Sequence, residues 1–338
     1  MNQHCILGAG LIGSYIGGVL HSRGYPVHFV RRRATERVDL HLTDYQGHQQ
    51  TIPDIDYLAV ANCADIIHSD IDYLWLTVKC TAISQSLIDM QDLISKKTII
   101  LCCQNGIGSE QLVQQAFPNN SVLRVMVPFN VVEAQSGHFH RGSEGHLVIE
   151  QDQQGHATTL QQALYCELLP TSVCADMQAM QWAKLQLNLS NAVNALSNMP
   201  VKAMLQQRGY RLVIAALMQE LLQVAQAKGF ELPRLTALPA HWLPFVLRLP
   251  NGLFSLLANK MLAIDPTVRT SMWWDVHHQR ATEVNFLNGA VVAHGQRLNI
   301  HTPCNQRIVD LIKQAETRKS MQAFSPAELL KAIVGKDC

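Results

Sequence analysis

The sequence predicts an α/β protein: a doubly wound parallel sheet over residues 1–175, then an all-α second half over 176–338. Three observations predict it. Short apolar runs alternate with helical patterns through the first 175 residues. The run at 73–78 (YLWLTV) is almost continuously apolar, as expected of a strand covered on both faces. Beyond about Asp176 strand signals stop and helical periodicity takes over.

In order, 3–8 (QHCILG) reads as a strand running into a glycine turn. A helix follows over 11–22, with Gly24 where a C-terminal glycine belongs. Strands are expected at 27–30, 73–78, 98–103 and 121–127, with helical pieces at 82–94 and after the loop 104–108. This alternation implies parallel strands joined by right-handed crossovers. Between Pro128 and Glu150, Gly137, Gly142 and Gly145 punctuate short strand-like pieces, which suggests antiparallel strands at one sheet edge. A helix at 157–168 and a strand at 172–174 close the first half. Helices are expected at 177–196, 208–228, 270–294 and 305–317, whereas Pro233, Pro239, Pro244 and Pro250 break up 231–266.

Composition narrows the function classes. Of 338 residues, 48% are hydrophobic and 16% charged, which excludes a disordered chain. The net charge of +1, from 27 basic and 26 acidic residues, argues against a general nucleic-acid binder. Nine cysteines without a C-x-x-C pair read as thiols of a reducing compartment. The most apolar window, 243–264, contains Arg248, Pro250, Asn251, Gly252 and Lys260, so no membrane span is expected. The N-terminus lacks the basic region of a signal peptide. A cytoplasmic protein, monomeric or homodimeric, is the expectation. No metal site is expected, because neither His138/His140 nor His277/His278 has a further ligand at zinc spacing.

The clearest motif is Gly8-Ala9-Gly10-Leu11-Ile12-Gly13, placed between the first strand and the first helix. Gly8 permits a tight turn, Gly10 lets the backbone approach a pyrophosphate, and Gly13 allows close helix–strand packing. The free N–H groups and positive dipole end of the helix favour an anion there. A Rossmann-type dinucleotide site follows, with Leu11 and Ile12 in the binding loop. NAD sites usually carry an acid at the end of the second strand. Here that strand ends in Arg31, Arg32 and Arg33, and guanidinium groups suit a 2′-phosphate. NADP(H) is therefore the expected cofactor, with Arg31 as first candidate contact and Arg32 as second.

In the helical half, Lys184, Asn188 and Asn191 stand at i, i+4 and i+7 and share one helix face. Ser271 and Glu283 are twelve residues apart and lie on broadly the same side if their helix is unbroken. Together with Val78-Lys79, Gln104-Asn105-Gly106, Ser271-Met272, T-E-x-x-x-L-N-G at 282–289 and Thr302-Pro303-Cys304-Asn305, these pieces resemble the ketopantoate reductase family along the whole chain. The resemblance implies a Rossmann domain, a helical domain and an active site in the cleft. It implies hydride transfer from NADPH to the C2 carbonyl of ketopantoate, giving pantoate for pantothenate biosynthesis. Lys184 matches the family's general acid, and Glu283 the active-site glutamate that supports it and lies among the cofactor and substrate contacts. Asn105, Asn188 and Ser271 match residues that touch substrate or cofactor, and Lys79 a lysine near the cofactor. One departure stands out. The family's further asparagine, eight residues after the lysine, falls on Ala192 here, which leaves Asn191 and Asn194 as the candidates for its role and bears on substrate specificity.

The chemistry is consistent on its own terms. Hydride addition to a carbonyl builds negative charge on oxygen, which an ammonium stabilises and protonates. Burial lowers a lysine pKa and a neighbouring glutamate raises it. Two rival readings remain: reduction of a different small 2-oxo acid, and a non-catalytic NADP(H) sensor.

Overall fold

The structure, a computed structural model, describes residues 1–66, 71–257, 265–317 and 323–335. The chain divides into two compact units, Met1–Met177 and Gln178–Cys338.

The first unit contains β1 (His4–Leu7), α1 (Leu11–Ser22), β2 (Val27–Arg31), β3 (Thr35–Asp44), β4 (Gln49–Ala59) and α2 (Val60–Ile66). It continues with β5 (Tyr73–Leu76), α3 (Ile83–Asp89), β6 (Ile99–Cys102), α4 (Ser109–Ala116) and β7 (Val122–Met126). It ends with β8 (Val131–Gln135), β9 (His138–Arg141), β10 (Leu147–Glu150), α5 (His156–Leu164) and β11 (Thr171–Cys174). These strands form one sheet in the order β11-β10-β7-β6-β5-β1-β2-β4-β3-β9-β8. Its centre, from β4 through β2, β1, β5 and β6 to β7, is parallel throughout. The strand order reverses on either side of β1, and in such sheets ligands bind beyond the carboxyl ends of the strands at that reversal.

Successive residues of β1 explain its apolar run. Ile6 enters one buried cluster with Phe29, Trp75 and Leu101, while Cys5 and Leu7 enter the other with Val30, Leu74, Leu76 and Ile100. Side chains alternate across a strand, so both faces must be apolar when helices cover both. Burying each such side chain is worth about 1.5–3 kcal/mol.

Two expectations need correction. The pieces between Pro128 and Glu150 do not gather at one sheet edge. β8 and β9 form an antiparallel hairpin beside β3, whereas β10 pairs antiparallel with β7 on the opposite side. A long connection lets consecutive strands leave for different edges, and local turn residues do not encode which. In addition, no strand is expected between the strands at 27–30 and 73–78, yet β2 is followed by a hairpin of β3 and β4, and this hairpin places β4 parallel to β2.

The second unit is helical in its described residues: α6 (Met177–Asn188), α7 (Ser190–Ser197), α8 (Val201–Leu205), α9 (Arg208–Ala227), α10 (Leu243–Arg248), α11 (Asn251–Leu257), α12 (Ser271–His277), α13 (Asn288–Arg297), α14 (Pro303–Thr317) and α15 (Pro326–Ile333). The end of the apolar window, 258–264, lies outside the described residues. Leu189 keeps right-handed helical angles, and its N–H bonds the Leu185 carbonyl at 3.0 Å, so α6 leads into α7 with little interruption. The helix expected over 270–294 is broken. Gln279 adopts φ 53°, and the Arg280 N–H turns back to the Asp275 carbonyl at 2.8 Å. Helix periodicity alone missed this stop because it falls on a glutamine rather than on the glycine usual at such a position.

Candidate active site

The glycine turn has the form that the sequence demands of it. Gly8 has φ +95°, and a Cβ there would lie 2.5 Å from Val78 Cγ1. A Cβ at Gly13 would lie 2.5 Å from Thr77 Oγ1 and 2.8 Å from the Gly8 carbonyl oxygen, so the helix packs on the strand only as glycine. At Gly10 the nearest atom to such a Cβ is 3.8 Å away, which leaves the backbone open to a ligand. No side chain caps the start of α1. The N–H groups of the first helical turn are thus presented to an anion beside Leu11, which is exposed, and Ile12. The turn hangs from the end of β2, where the Val30 carbonyl accepts the N–H groups of Gly8 (3.0 Å) and Ala9 (2.9 Å). Thr77 Oγ1 donates to the Gly8 carbonyl at 2.9 Å and secures it from β5. These features fit a dinucleotide pyrophosphate.

Arg31 folds back onto this turn. Its Nε donates to the Ala9 carbonyl at 2.5 Å, and Nη2 to Ser14 Oγ at 3.3 Å. Arg32 and Arg33 are exposed. Lys79 and Asn105 follow the carboxyl ends of β5 and β6, and both are exposed. Their loops are joined where Cys80 Sγ donates to the Asn105 carbonyl at 3.0 Å. Gln104 Nε2 reinforces the junction by donating to the carbonyls of Leu76 (2.7 Å) and Val78 (3.0 Å). The first unit therefore brings Gly8, Gly10, Leu11, Ile12, Gly13, Arg31, Lys79 and Asn105 to the carboxyl end of its sheet.

In the second unit the polar stripe is real. Lys184, Asn188 and Asn191 are half-buried, while Ala183, Leu185, Gln186, Leu189 and Ala192 around them are buried. Desolvation by the surrounding protein pushes the Lys184 ammonium down to a pKa of about 8, against the Glu283 carboxylate, which pulls it up. Glu283 is 8% exposed and begins a single 3-10 turn, Val284–Phe286. Because the helix is broken, Glu283 reaches this position on a loop and not by sharing a helix face with Ser271. Glu316 at the end of α14 fixes that loop: one carboxylate oxygen accepts the Thr282 N–H at 2.8 Å and its hydroxyl at 2.7 Å. Lys313 Nζ lies 2.9 Å from the other oxygen.

Asn194 is settled by its burial. It is fully buried; its Nδ2 donates to the Met199 carbonyl at 2.7 Å, and its Oδ1 accepts the Thr270 N–H at 3.0 Å and hydroxyl at 3.1 Å. It is committed to the scaffold, so of the two asparagines only Asn191 keeps a half-exposed side chain. Ala192 is fully buried. Thr270, held in this way, caps α12 through the Trp273 N–H, and the exposed Ser271 stands at the first position of that helix. Two motif asparagines are structural as well. Asn305 Nδ2 donates to Glu220 at 2.7 Å and its Oδ1 accepts from Asn288 at 3.0 Å, while Glu220 accepts the N–H groups of Cys304 and Asn305 at the start of α14. Among the described residues no group of three or more His, Cys, Asp or Glu is placed to hold a metal.

Sequence reasoning missed Ser14, Tyr57, Thr77 and Glu316. Each acts by holding another residue, and partners distant in the chain leave no local pattern.

An open dinucleotide turn on a doubly wound sheet, accompanied by a lysine of lowered pKa beside a glutamate in a helical unit, defines a nicotinamide-dependent oxidoreductase. A family model described as ketopantoate reductase PanE/ApbA matches residues 4–154, and its C-terminal counterpart matches 176–316. The chain belongs to the ketopantoate reductase family. It is 24% identical over 321 residues to a 2-dehydropantoate 2-reductase of Vibrio cholerae, covering 92% of this chain and 97% of that one. Its fold is similar to the crystal structure of a 2-dehydropantoate 2-reductase from Geobacter metallireducens, with TM-score 0.76, 22% identity, and 93% and 99% of the two chains covered. It is also similar to a D-mandelate dehydrogenase in complex with NADH, with TM-score 0.72, 19% identity, and 94% and 99% covered.

Proposed function

We propose that this protein reduces 2-dehydropantoate to pantoate with NADPH in pantothenate biosynthesis. The observation that carries the proposal is Lys184, an amine of lowered pKa under the influence of Glu283, half-buried on α6 between the buried Ala183 and Leu185. Bound at the glycine turn, reduced NADP supplies the hydride. Every other task belongs to the chain. Gly10 and the start of α1 hold the pyrophosphate, Arg31 and then Arg32 the 2′-phosphate, and Lys79 and Asn105 the nicotinamide side. Lys184 gives its proton to the C2 oxygen as negative charge develops there, and a positioned acid typically contributes on the order of 10²–10⁴-fold. Glu283 keeps the amine protonated and takes part in cofactor and substrate binding. Asn188, Asn191, Ser271 and Asn105 donate to the substrate's carboxylate and hydroxyl groups.

A second reading keeps the chemistry and changes the substrate. Ala192 removes an expected polar contact, and a D-mandelate dehydrogenase shares the fold. Steady-state kinetics with NADPH on a panel of 2-oxo acids decides. Highest kcat/KM on ketopantoate supports the proposal, and a tenfold preference for another acid rejects that substrate. Cofactor binding without turnover on any acid leaves the sensor. The assignment is to the cytoplasm, as monomer or homodimer; a dimeric ketopantoate reductase from Staphylococcus aureus is similar in fold, with TM-score 0.72 and 19% identity.

A further inference from the structure

Arg31 ends β2, and the parts that surround it come from three other places in the first unit: the glycine turn, the first helix and β4. Tyr57 on β4 lies beneath the guanidinium, with Arg31 Cζ 3.5 Å from its ring centroid. The Tyr57 hydroxyl donates to Ser14 Oγ at 2.9 Å. Ser14 Oγ donates to the Ala9 carbonyl at 2.9 Å, and the same carbonyl accepts Arg31 Nε. The Ser14 hydroxyl, with one hydrogen and two lone pairs, is then fully used: it donates to Ala9 and accepts from Tyr57 and Arg31. Tyr57 is 1% exposed and Ser14 fully buried, so water does not compete for these bonds.

A guanidinium carries five N–H donors in one plane. In Arg31 one face rests on the Tyr57 ring, Nε is bound to Ala9, and one Nη2 donor is bound to Ser14. The remaining edge, formed by Nη1 and the second Nη2 donor, has no protein acceptor among the described residues, while Nε of the same group is anchored on the Ala9 carbonyl of the pyrophosphate turn. Two N–H donors along one edge of a guanidinium match two phosphate oxygens, so this edge is able to bind a phosphate bidentately.

We propose that Tyr57 and Ser14 are positioning residues for cofactor choice: they hold Arg31 in place, before any ligand arrives, as a platform for the 2′-phosphate of NADPH. The inference rests on the NADPH reading above and goes beyond it. An arginine already stacked and bonded loses little side-chain freedom on binding, whereas a loose one loses it at that moment. NADH has no 2′-phosphate and gains nothing from the platform. The selectivity of the site is therefore set by a tyrosine and a serine that need not touch the cofactor.

The test titrates wild type, Tyr57→Leu, Tyr57→Phe and Ser14→Ala with NADPH and with NADH at one ionic strength, following the fluorescence of the reduced nicotinamide. Tyr57→Leu removes the stack and the hydroxyl. It should weaken NADPH about tenfold while NADH stays within about twofold, from typical cation–π and preorganisation magnitudes. Tyr57→Phe, which keeps the ring, should recover most of the NADPH-to-NADH preference. Equal losses for both cofactors show a scaffold role only and overturn the inference, as does an unchanged ratio. Should Tyr57→Leu fail to fold, Ser14→Ala decides: a ratio lowered about threefold or more supports the platform, and an unaltered ratio overturns it. A wild type without preference for NADPH sinks the cofactor reading itself, and a strong wild-type preference that survives both substitutions sinks the platform alone.

Discussion

The alkaline limb of the pH profile should belong to Lys184. In water its amine would release a proton near 10.5; desolvation brings it down to about 8, with Glu283 opposing. At pH 7 about nine-tenths of the enzyme then carries the ammonium form of this proposed acid, and at pH 9 about one-tenth does. Initial rates of NADPH oxidation with a saturated cofactor and limiting 2-oxo acid, from about pH 6 to pH 10, should show kcat/KM falling with a midpoint near 8. Glu283→Gln removes the group that favours the ammonium, so the midpoint should move to lower pH while some activity remains. The direction is the decisive part. A limb that stays in place in Glu283→Gln, or a wild-type limb above pH 10, refutes the assignment of Lys184 as the acid influenced by this carboxylate.

Lys184→Ala should lower kcat by roughly 10²–10⁴-fold and leave the Kd for NADPH nearly intact, as measured by single-turnover kinetics and calorimetry; parallel losses in both would contradict a proton-transfer role. The same amine costs the fold stability. Its folded pKa lies below the unfolded value, so the penalty is complete below about pH 8 and is relieved as pH rises toward 10.5. Lys184→Met should therefore raise stability at pH 7 by about 2 kcal/mol after allowance for its partial exposure, and an unchanged Tm would show that the site does not disfavour the charge. Glu316→Ala frees the Thr282 N–H and hydroxyl, so it should destabilise by about 1–3 kcal/mol and reduce kcat more than NADPH affinity; wild-type kcat in a folded variant would show that Glu283 needs no such support. His4 is 1% exposed and accepts from Trp75 Nε1, and burial holds its pKa down at about 4. Its stabilising contribution is whole above about pH 6.5 and is lost as pH falls toward 4, by roughly 3 kcal/mol over that window. Denaturant unfolding of wild type and His4→Phe across pH 7 to 4.5 should show a flatter slope in the variant, and equal slopes would exclude His4 as the source.

How much of the site was legible depended on how far apart its parts lie in the chain. Gly8, Gly10 and Gly13 reveal their tasks within six residues, because turn, approach and packing are local demands on backbone and Cβ space. Lys184, Asn188 and Asn191 showed themselves as a stripe because a helix repeats every 3.6 residues. Ser271 and Glu283 were misjoined, since helical periodicity continues past Gln279 although the helix ends just before it. Asn194 looked equivalent to Asn191 until its bonds to Met199 and Thr270 placed it in the scaffold.

The sequence by itself determined the two-unit order, the parallel core, the glycine turn and the basic end of the second strand. Each of these is written in residue type and short-range period. Only the tertiary structure decided that β8 and β9 leave for the edge opposite β10, that Arg31 rather than Arg32 or Arg33 is drawn onto the turn, and that Tyr57 and Glu316 support residues far from them in sequence. Such contacts close long loops, and their free energy depends on where the partner chain segment arrives, which no local pattern of side chains specifies.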